Sequence, residues 1–459
     1  NNMQILYKSI FALALTATAL TSCDFTDLTP TDQIDDSSIY SSVSSLEQTV
    51  TGAYALMSYK QLVRVSAVLS DDVIKGGQNG GAGDDTYQWT YTAPTGEHND
   101  IWSRQYRIIN LTNRILQGAE SVQVNGADET ARKNNCIGTA KFLRAYSALE
   151  LLLYFSDIEN ESGYGIPYVT EPVILQTPGR NTVKECFDYI IQDLNDARSL
   201  LSLSKPSTPG YANQLAVDAL LARIYLYRHD YAKADEYAKK VLDQMPLADI
   251  NEYADIWSDK SEKEVVWKLK RNTGDETIGT IFWSGDNSSA FEPAPAFIAC
   301  FEQGDVRLST FVGDGVDRDN VPVKRVNKYK GSDSNVGLAD AKMIRSSEML
   351  LIRAEVAAQS DLTSANKLLN QLRANRIEGW VDQTYSTKAE FIDELLLERR
   401  RELCFEGHRF FDMRRYKRAL YKPLIDKTLE VGNYRWLMPI PNGEMQGNSV
   451  IAAQQNPGY

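Results

Sequence analysis

The chain has 459 residues, of which 43% are hydrophobic, 24% charged and 10% aromatic. This composition is typical of a globular protein and leaves room for one large or two ordinary domains. The formal net charge of −12 argues against nucleic acid or an anionic membrane surface as the main partner, because both attract clustered Lys and Arg. Such a charge is compatible with a neutral ligand.

The first residues have the pattern of an export signal. Lys8 precedes an apolar run over residues 10–20, which is too short to span a bilayer. The run leads into Leu20-Thr21-Ser22-Cys23, which resembles the bacterial lipobox, whose cysteine carries a lipid. An ordinary signal with a nearby cysteine is the alternative. We expect a lipoprotein signal peptide over residues 1–22, lipidation of Cys23 and a tether over residues 23–40.

Helical periodicity follows the tether and returns along most of the chain. We expect residues 41–459 to form a single, mainly α-helical domain, with an N-terminal part over residues 41–255 and a C-terminal part over residues 256–459. Residues 264–270 alternate in character and predict a short strand. The predicted helices cover residues 44–56, 131–155, 183–201, 350–358 and 365–373, and another begins near Asp100.

A short motif recurs in three of the helical segments. Its copies are Phe142-Leu143-Arg144-Ala145, Leu221-Ala222-Arg223-Ile224 and Leu351-Ile352-Arg353-Ala354. The middle copy is followed by Ala234 and Ala238, and the spacings of Leu221, Ala222, Tyr225 and Ala234 are close to those of a tetratricopeptide repeat. Small residues at such points let two antiparallel helices approach closely. The sequence therefore predicts tetratricopeptide-like helix pairs in a superhelical scaffold, each packed against the next.

Two long irregular segments interrupt this pattern and carry the candidate ligand-binding residues. Ser70–His98 is rich in Gly and contains several aromatic residues, and in Asn272–Phe291 the aromatic residues lie among Gly, Ser, Asn and Pro. Loops of this length within a compact protein are usually functional or disordered. Sugar rings stack on aromatic faces, while Asn, Asp and Gln bond to their hydroxyls. The predicted stacking residues are Trp89, Tyr91, Trp283, Tyr87 and Phe291, and the predicted hydrogen-bonding residues are Asp72, Asn79, Asp286 and Asn287. The alternative is that each aromatic residue only anchors its loop to the helices.

The sequence offers little for catalysis or metal binding. Its three histidines are far apart, and no H-E-x-x-H, G-x-S-x-G or phosphate-binding glycine motif occurs. The best-placed carboxylate pairs are Asp71-Asp72 and Asp84-Asp85, which we interpret as solvated loop charges or an occasional Ca²⁺ contact. We therefore expect no catalytic residue, no metal site and no cofactor, with a structural Ca²⁺ left open. A glycoside hydrolase would need two carboxylates at a defined separation, which a sequence cannot show.

The densest charge pattern lies between Glu390 and Tyr416. Glu394, Glu398 and Glu402 follow one another at four-residue steps, so they line one helix face, and Arg399, Arg400 and Arg401 lie among them. We expect Gly407 to end this helix. Three carboxylates on one face need cations from neighbouring elements, and the interpretation is a structural clamp of Arg–carboxylate pairs. Asp305 and Arg307 are read as a second, local pair.

Two C-terminal motifs resemble those of a known family. Residues 398–415 have the pattern E-R-R-R-E-L-x-F-E-G-x-R-x-x-D-x-x-R, and the chain ends with Leu437-Met438-Pro439-Ile440-Pro441 and Gln455-Asn456-Pro457-Gly458-Tyr459. Both resemble the SusD/RagB family of outer-membrane nutrient-binding lipoproteins. Asp24 and Asp27, directly after Cys23, are similar to the surface-export signal of these lipoproteins.

The resemblance implies a lipid-anchored protein of the outer membrane that faces the cell exterior. Such a protein captures an oligosaccharide or polysaccharide and hands it to a SusC-like TonB-dependent transporter, without catalysis. A peptide ligand, as in RagB-type members, is the alternative within this class. An exported glycoside hydrolase and a protein-binding repeat scaffold are the alternatives outside it. The family's ligand site lies on variable loops, so no motif carries over to the residues predicted above.

Overall fold

A computed structural model describes residues 39–172, 176–205 and 207–459. The predicted signal peptide, the lipidation site Cys23 and the tether up to residue 38 lie outside the described residues. Over the described residues the protein is mainly helical, with short strands and irregular loops, as predicted. In this part of the chain, no helix combines the length and apolarity that a membrane crossing requires.

The helices alternate with short strands in the second half of the chain. The longer helices are α1 (Val43–Leu56), α2 (Tyr59–Leu69), α4 (His98–Ser121), α5 (Gly126–Phe155), α6 (Val183–Leu200), α7 (Gln214–Tyr227), α8 (Tyr231–Gln244), α12 (Ser346–Ala357), α13 (Leu362–Ala374) and α14 (Lys388–Glu402). The short helices are α3 (Asp84–Tyr87), α9 (Tyr253–Trp257), α10 (Pro295–Ile298), α11 (Val306–Phe311), α15 (Arg409–Arg415), α16 (Asn442–Gly447) and α17 (Ser449–Ala452). Three-residue to four-residue 3₁₀ turns cover Ile278–Ile281, Pro423–Ile425 and Tyr434–Trp436.

The strands form two-stranded antiparallel ribbons. They are β1 (Val73–Lys75), β2 (Val265–Leu269), β3 (Phe291–Pro293), β4 (Val312–Val316), β5 (Pro322–Val326), β6 (Gly331–Ser332), β7 (Asn335–Val336), β8 (Ala341–Arg345), β9 (Leu420–Lys422) and β10 (Lys427–Leu429). The pairs are β1 with β3, β2 with β8, β4 with β5, β6 with β7 and β9 with β10. In the β1–β3 pair, Lys75 lies opposite Phe291. The strand β2 matches the strand predicted over residues 264–270.

The long helices pack one against the next, as the repeated motif predicted. Helix α4 packs on α5, α5 on α6, α6 on α7, α7 on α8, α8 on α12 and α12 on α13. Small residues lie at the close contacts, and Ala222, Ala234 and Ala238 are completely buried. Helix α7 also packs on α12. Most of the buried apolar residues form one core, and α12, α13 and α14 (Lys388–Glu402) surround a second, smaller one.

The arginine of each repeated motif joins its helix to another helix. Arg144 on α5 bonds to Asp193 on α6 at 2.6 Å. Arg223 on α7 bonds to Glu348 on α12 at 2.7 Å, and both side chains are buried. The third arginine, Arg353 on α12, bonds to Asp235 on α8 at 2.7 Å. The shared residue therefore has a structural role.

Helix α14 carries the predicted clamp at the centre of the C-terminal half. Glu402 accepts hydrogen bonds from Arg345, Arg376 and Arg307 at 2.7, 3.0 and 3.2 Å. Arg307 also bonds to Glu398 and, through two nitrogens, to Asp305, which confirms the predicted local pair. The helix ends at Glu402, five residues before Gly407, so the prediction that Gly407 ends it is wrong.

The C-terminal tail is fixed to the end of helix α5. The Asn456 side chain donates hydrogen bonds to the carbonyl oxygens of Phe155 and Met438 and accepts one from Arg180. The Gln455 amide pairs with both backbone groups of Ile440. The two tail motifs therefore bond to each other and to the first half of the chain.

Candidate ligand-binding surface

The two predicted loops lie side by side. Next to the β1–β3 pair, the Gln78 backbone N–H donates a hydrogen bond to the Ser289 carbonyl at 3.0 Å. The Gln78 side-chain oxygen accepts one from the Ser289 backbone N–H at 2.9 Å. Any side chain on Gly76 would clash with the Ser289 backbone, so this close approach requires glycine. Two segments more than 200 residues apart in sequence thus form one surface.

Trp283 lies on this surface and is half-buried. Its indole nitrogen donates a hydrogen bond to the Val326 carbonyl at 3.1 Å. The Arg325 guanidinium lies 4.4 Å from the centre of the indole ring and donates a hydrogen bond to Asn287 at 2.9 Å. The β4–β5 hairpin therefore orients both Trp283 and the polar groups beside it.

The turn after Trp283 holds an ordered, exposed carboxylate. Asp286 accepts hydrogen bonds from the hydroxyls of Ser284 and Ser288 at 2.6 and 2.9 Å and from the Ser288 amide at 3.0 Å. These bonds lower the pKa of Asp286 to about 2, and the bond from the Ser284 hydroxyl has the largest effect. Asn287 is exposed and has a φ of +62°, a conformation that Asn tolerates better than most residues. Both residues were predicted to bond to a ligand, and both are accessible.

Gln78 also lies at this surface and contacts the buried Asp317, and neither residue was predicted from the sequence. The Gln78 side-chain nitrogen donates hydrogen bonds to Asp317 and Asp319, each at 2.9 Å. The bond from Gln78 is the main cause of a lowered pKa at Asp317. These contacts tie the tip of the β4–β5 hairpin to the first loop. In the sequence, the one signal for a role of Gln78 at this surface is its position within the glycine-rich loop.

Four of the five predicted stacking residues lie in the core. Tyr87, Trp89, Tyr91 and Phe291 are each no more than 3% exposed, so none offers an open ring face to a sugar. The Trp89 indole nitrogen bonds to the Leu69 carbonyl, and the Tyr91 hydroxyl bonds to the Arg435 carbonyl. The Lys422 ammonium lies 4.1 and 4.4 Å from the rings of Tyr87 and Trp89. These residues anchor the loops, and we correct their assignment accordingly.

Two of the predicted hydrogen-bonding residues are also structural. Asp72 is buried and accepts a hydrogen bond from Arg400 at 2.7 Å; its burial raises its pKa, although Arg400 acts in the opposite direction. Asp71 forms a two-bond pair with Arg409, so the interpretation of Asp71 and Asp72 as solvated charges is wrong. The Asn79 side chain donates to the Ala82 and Ala290 carbonyls. It therefore shapes the loop.

Two protein-family models match most of this chain. The model described as "SusD family" matches residues 315–459, and the model described as "Starch-binding associating with outer membrane" matches residues 24–226. The first includes the clamp helix and the C-terminal tail, and the second includes the first predicted loop. The chain belongs to the SusD/RagB family.

Several SusD-like proteins align with 90% or more of the chain. The SusD-like protein P2 of Formosa agariphila is 23% identical over 99% of both chains. The crystal structure of a SusD superfamily protein of Bacteroides thetaiotaomicron has a TM-score of 0.80 at 24% identity and covers 91% of this chain and 100% of that one. A SusD-like carbohydrate binding protein of Bacteroides vulgatus has a TM-score of 0.76 at 21% identity, with 90% and 98% covered. The SusD-like fold thus extends over nearly the whole chain.

Proposed function

We propose that this SusD-like protein binds an oligosaccharide or polysaccharide nutrient on the surface that Trp283 and its polar neighbours form. Trp283 is the main support for the proposal, because it is the one predicted stacking residue that is not buried among the described residues. Asp286 and Asn287 provide hydrogen-bonding groups beside it. The names of the family model and of the Bacteroides vulgatus neighbour support a carbohydrate as the ligand.

The protein acts as a receptor in this proposal, and it carries no catalytic function. The carboxylate pair best placed for hydrolysis in the sequence, Asp71 and Asp72, is occupied by Arg409 and Arg400. Asp84 forms an ion pair with Lys75. Burial raises the pKa of Asp71, but Arg409 and Arg400 outweigh burial and lower it, so Asp71 is a poor candidate for a general acid, which requires a proton near neutral pH. A peptide ligand remains the alternative within the receptor class.

The proposed location and partner follow from the family. We propose that a lipid on Cys23 anchors the protein to the outer membrane, facing the cell exterior, and that the bound glycan passes to a SusC-like TonB-dependent transporter. The description of the second family model supports association with the outer membrane. Copurification with a transporter from the native membrane, and its loss in a Cys23→Ala variant, would test the anchor and the partner together.

Calorimetric titration of the protein without residues 1–23 tests the ligand class. The panel contains neutral polysaccharides, acidic polysaccharides, their oligosaccharides and mixed peptides. We expect saturable binding to at least one glycan, and no new products when the mixture is analysed by chromatography after incubation. Binding to peptides alone would replace the glycan by a peptide, and formation of shorter sugars would contradict the receptor function.

A further inference from the structure

A cleft of about 520 Å³ opens beside the second loop, where helices α1 and α2 meet. Four cations and two carboxylates line it: Lys60, Arg64, Arg104, Arg271, Asp275 and Glu276. Lys60 donates a hydrogen bond to the Thr280 hydroxyl at 2.7 Å, only three residues before Trp283. The Arg64 guanidinium lies 5.7 Å from the centre of the Phe291 ring. The cleft therefore adjoins the same loop that carries the proposed glycan surface.

The Glu276 carboxylate is fully engaged with the protein. One oxygen accepts hydrogen bonds from the Tyr59 amide at 2.9 Å and from Arg271 at 2.8 Å, and the other accepts one from the Ser58 hydroxyl at 2.7 Å. Because it lies at the N-terminus of α2, the helix dipole also stabilises its charge. Glu276 therefore acts on Lys60 through its charge, without an ion pair between the two side chains.

The other carboxylates near the cleft are also occupied. Glu97 forms an ion pair with Arg64 at 2.5 Å. The Asp275 carboxylate accepts a hydrogen bond from the Asn272 backbone amide at 2.6 Å within its own turn. Neither of them lies in an ion pair with Lys60 or Arg104.

Lys60 and Arg104 keep charges that the protein does not pair. Over the residues that the structure describes, neither has a carboxylate within ion-pair distance, and the Thr280 hydroxyl is the one side-chain acceptor that Lys60 reaches. Burial lowers the pKa of Lys60, and the charge of Glu276, which forms no ion pair with it, offsets this only in part. The side chain of Arg271 is only 7% exposed, and its Nε has no acceptor in the described part of the chain. Lys60 is half-buried and Arg104 is exposed, and two cations at one cleft without ion-pair partners among the described residues favour an anionic ligand group.

We infer that this cleft binds an anionic substituent of the glycan, either a carboxylate or a sulfate ester. The inference rests on the proposed glycan-binding function and specifies its substrate class as an acidic polysaccharide. The negative net charge of the protein, −12, disfavours polyanions elsewhere on its surface, so a local cationic cleft would provide selectivity.

Two matched pairs of ligands test the inference by calorimetry. The first pair is polygalacturonate and the same polymer with its carboxyl groups reduced to alcohols, and the second is dextran sulfate and dextran. We expect the charged member of at least one pair to bind more tightly, with an affinity that falls as salt is added. If only polygalacturonate binds more tightly than its neutral counterpart, the bound group is a carboxylate. If only dextran sulfate does, the bound group is a sulfate.

Two variants of α4 separate the cleft from general charge effects. Arg104→Gln removes an exposed cation of the cleft, whereas Arg107→Gln removes an exposed cation of the same helix that does not line it. We expect Arg104→Gln to weaken binding of the anionic glycan about two- to fivefold. Lys60→Gln should weaken it about tenfold, because it loses a charge-assisted contact in a more buried position. Arg107→Gln should change it less than about twofold.

The outcomes distinguish this inference from the proposed function. Equal affinity for the charged and neutral members, or equal losses in Arg104→Gln and Arg107→Gln, would overturn the inference while glycan binding itself stands. Binding of poly-glutamate but of no glycan would overturn both, and so would the absence of binding to all four polymers together with the full glycan panel.

Discussion

At the scale of single residues, Glu402 is the centre of the buried charge network. Its two oxygens contact Arg307, Arg345 and Arg376, and all four side chains are inaccessible to solvent. Burial raises the pKa of the neighbouring Glu398, but Arg307, Arg373 and Arg401 outweigh burial and lower this pKa to about 2. Such a network contributes to a single native arrangement, because each charge depends on partners from other elements.

Removing the charge of Glu402 should strongly destabilise the protein. In Glu402→Gln, three buried guanidinium groups lose a shared partner, and breaking a buried ion pair costs about 3–5 kcal/mol. Urea unfolding followed by circular dichroism gives the free energy of unfolding. The matched control is Asp243→Asn, which removes an exposed partner of Lys239 and should leave the unfolding midpoint unchanged. Equal stability of Glu402→Gln and the wild type would contradict a structural role for the network.

The residues of the clamp were predictable, whereas most ligand residues were not. Three glutamates at four-residue steps require cations, so a clamp followed from the sequence, whereas the partners Arg345, Arg373 and Arg376 came only from the structure. Trp89 and Trp283 both lie in long irregular segments, and nothing local distinguishes an anchor from a ligand-binding residue. Their difference arises from distant residues: Lys422 lies against the Trp89 ring, and the β4–β5 hairpin supports Trp283 at the surface.

At the scale of elements, the contact between α7, α8 and α12 depends on small side chains. Ala234 on α8 is completely buried, whereas Ala232 on the same helix is exposed. Ala234→Leu should lower the free energy of unfolding by about 1–3 kcal/mol, because three added carbons must fit into a closely packed contact. Ala232→Leu places the same side chain in solvent and controls for helix propensity. Equal midpoints for the two variants in urea would show that α8 does not pack closely at Ala234.

Hydrophobic periodicity predicted the long helices well and the short strands poorly. The helix predicted over residues 131–155 begins at Gly126 in the structure. Hydrophobic periodicity missed its first turn because the residues of that turn are mostly polar and exposed. Strands β1 and β3 have only three residues each, which is too short for an alternating pattern to be recognised. Their pairing joins the two predicted loops, so the shape of the candidate site could not be derived from either loop alone.

At the scale of the whole molecule, a helical scaffold holds one composite surface of loops. The consecutive helix pairs account for most of the core, and the clamp and the C-terminal tail lock the two halves of the chain together. The glycine-rich loop, the turn after Trp283 and the β4–β5 hairpin meet on this scaffold through the contacts of Gln78, Asn287 and Arg325. A rigid scaffold with variable loops allows the ligand to change without altering the fold.

The most direct test compares two tryptophan variants in calorimetric titrations with the glycan that the panel identifies. Trp283→Ala should weaken binding about 30-fold or more, because an aromatic anchor at the centre of a site contributes about 2 kcal/mol or more. Trp380 is a matched control: it is also half-buried, bonds to Asn370 through its indole nitrogen, and has Arg373 5.2 Å from its ring. Trp380→Ala should bind like the wild type. Unchanged binding in Trp283→Ala, with the fold intact, would contradict the proposed site.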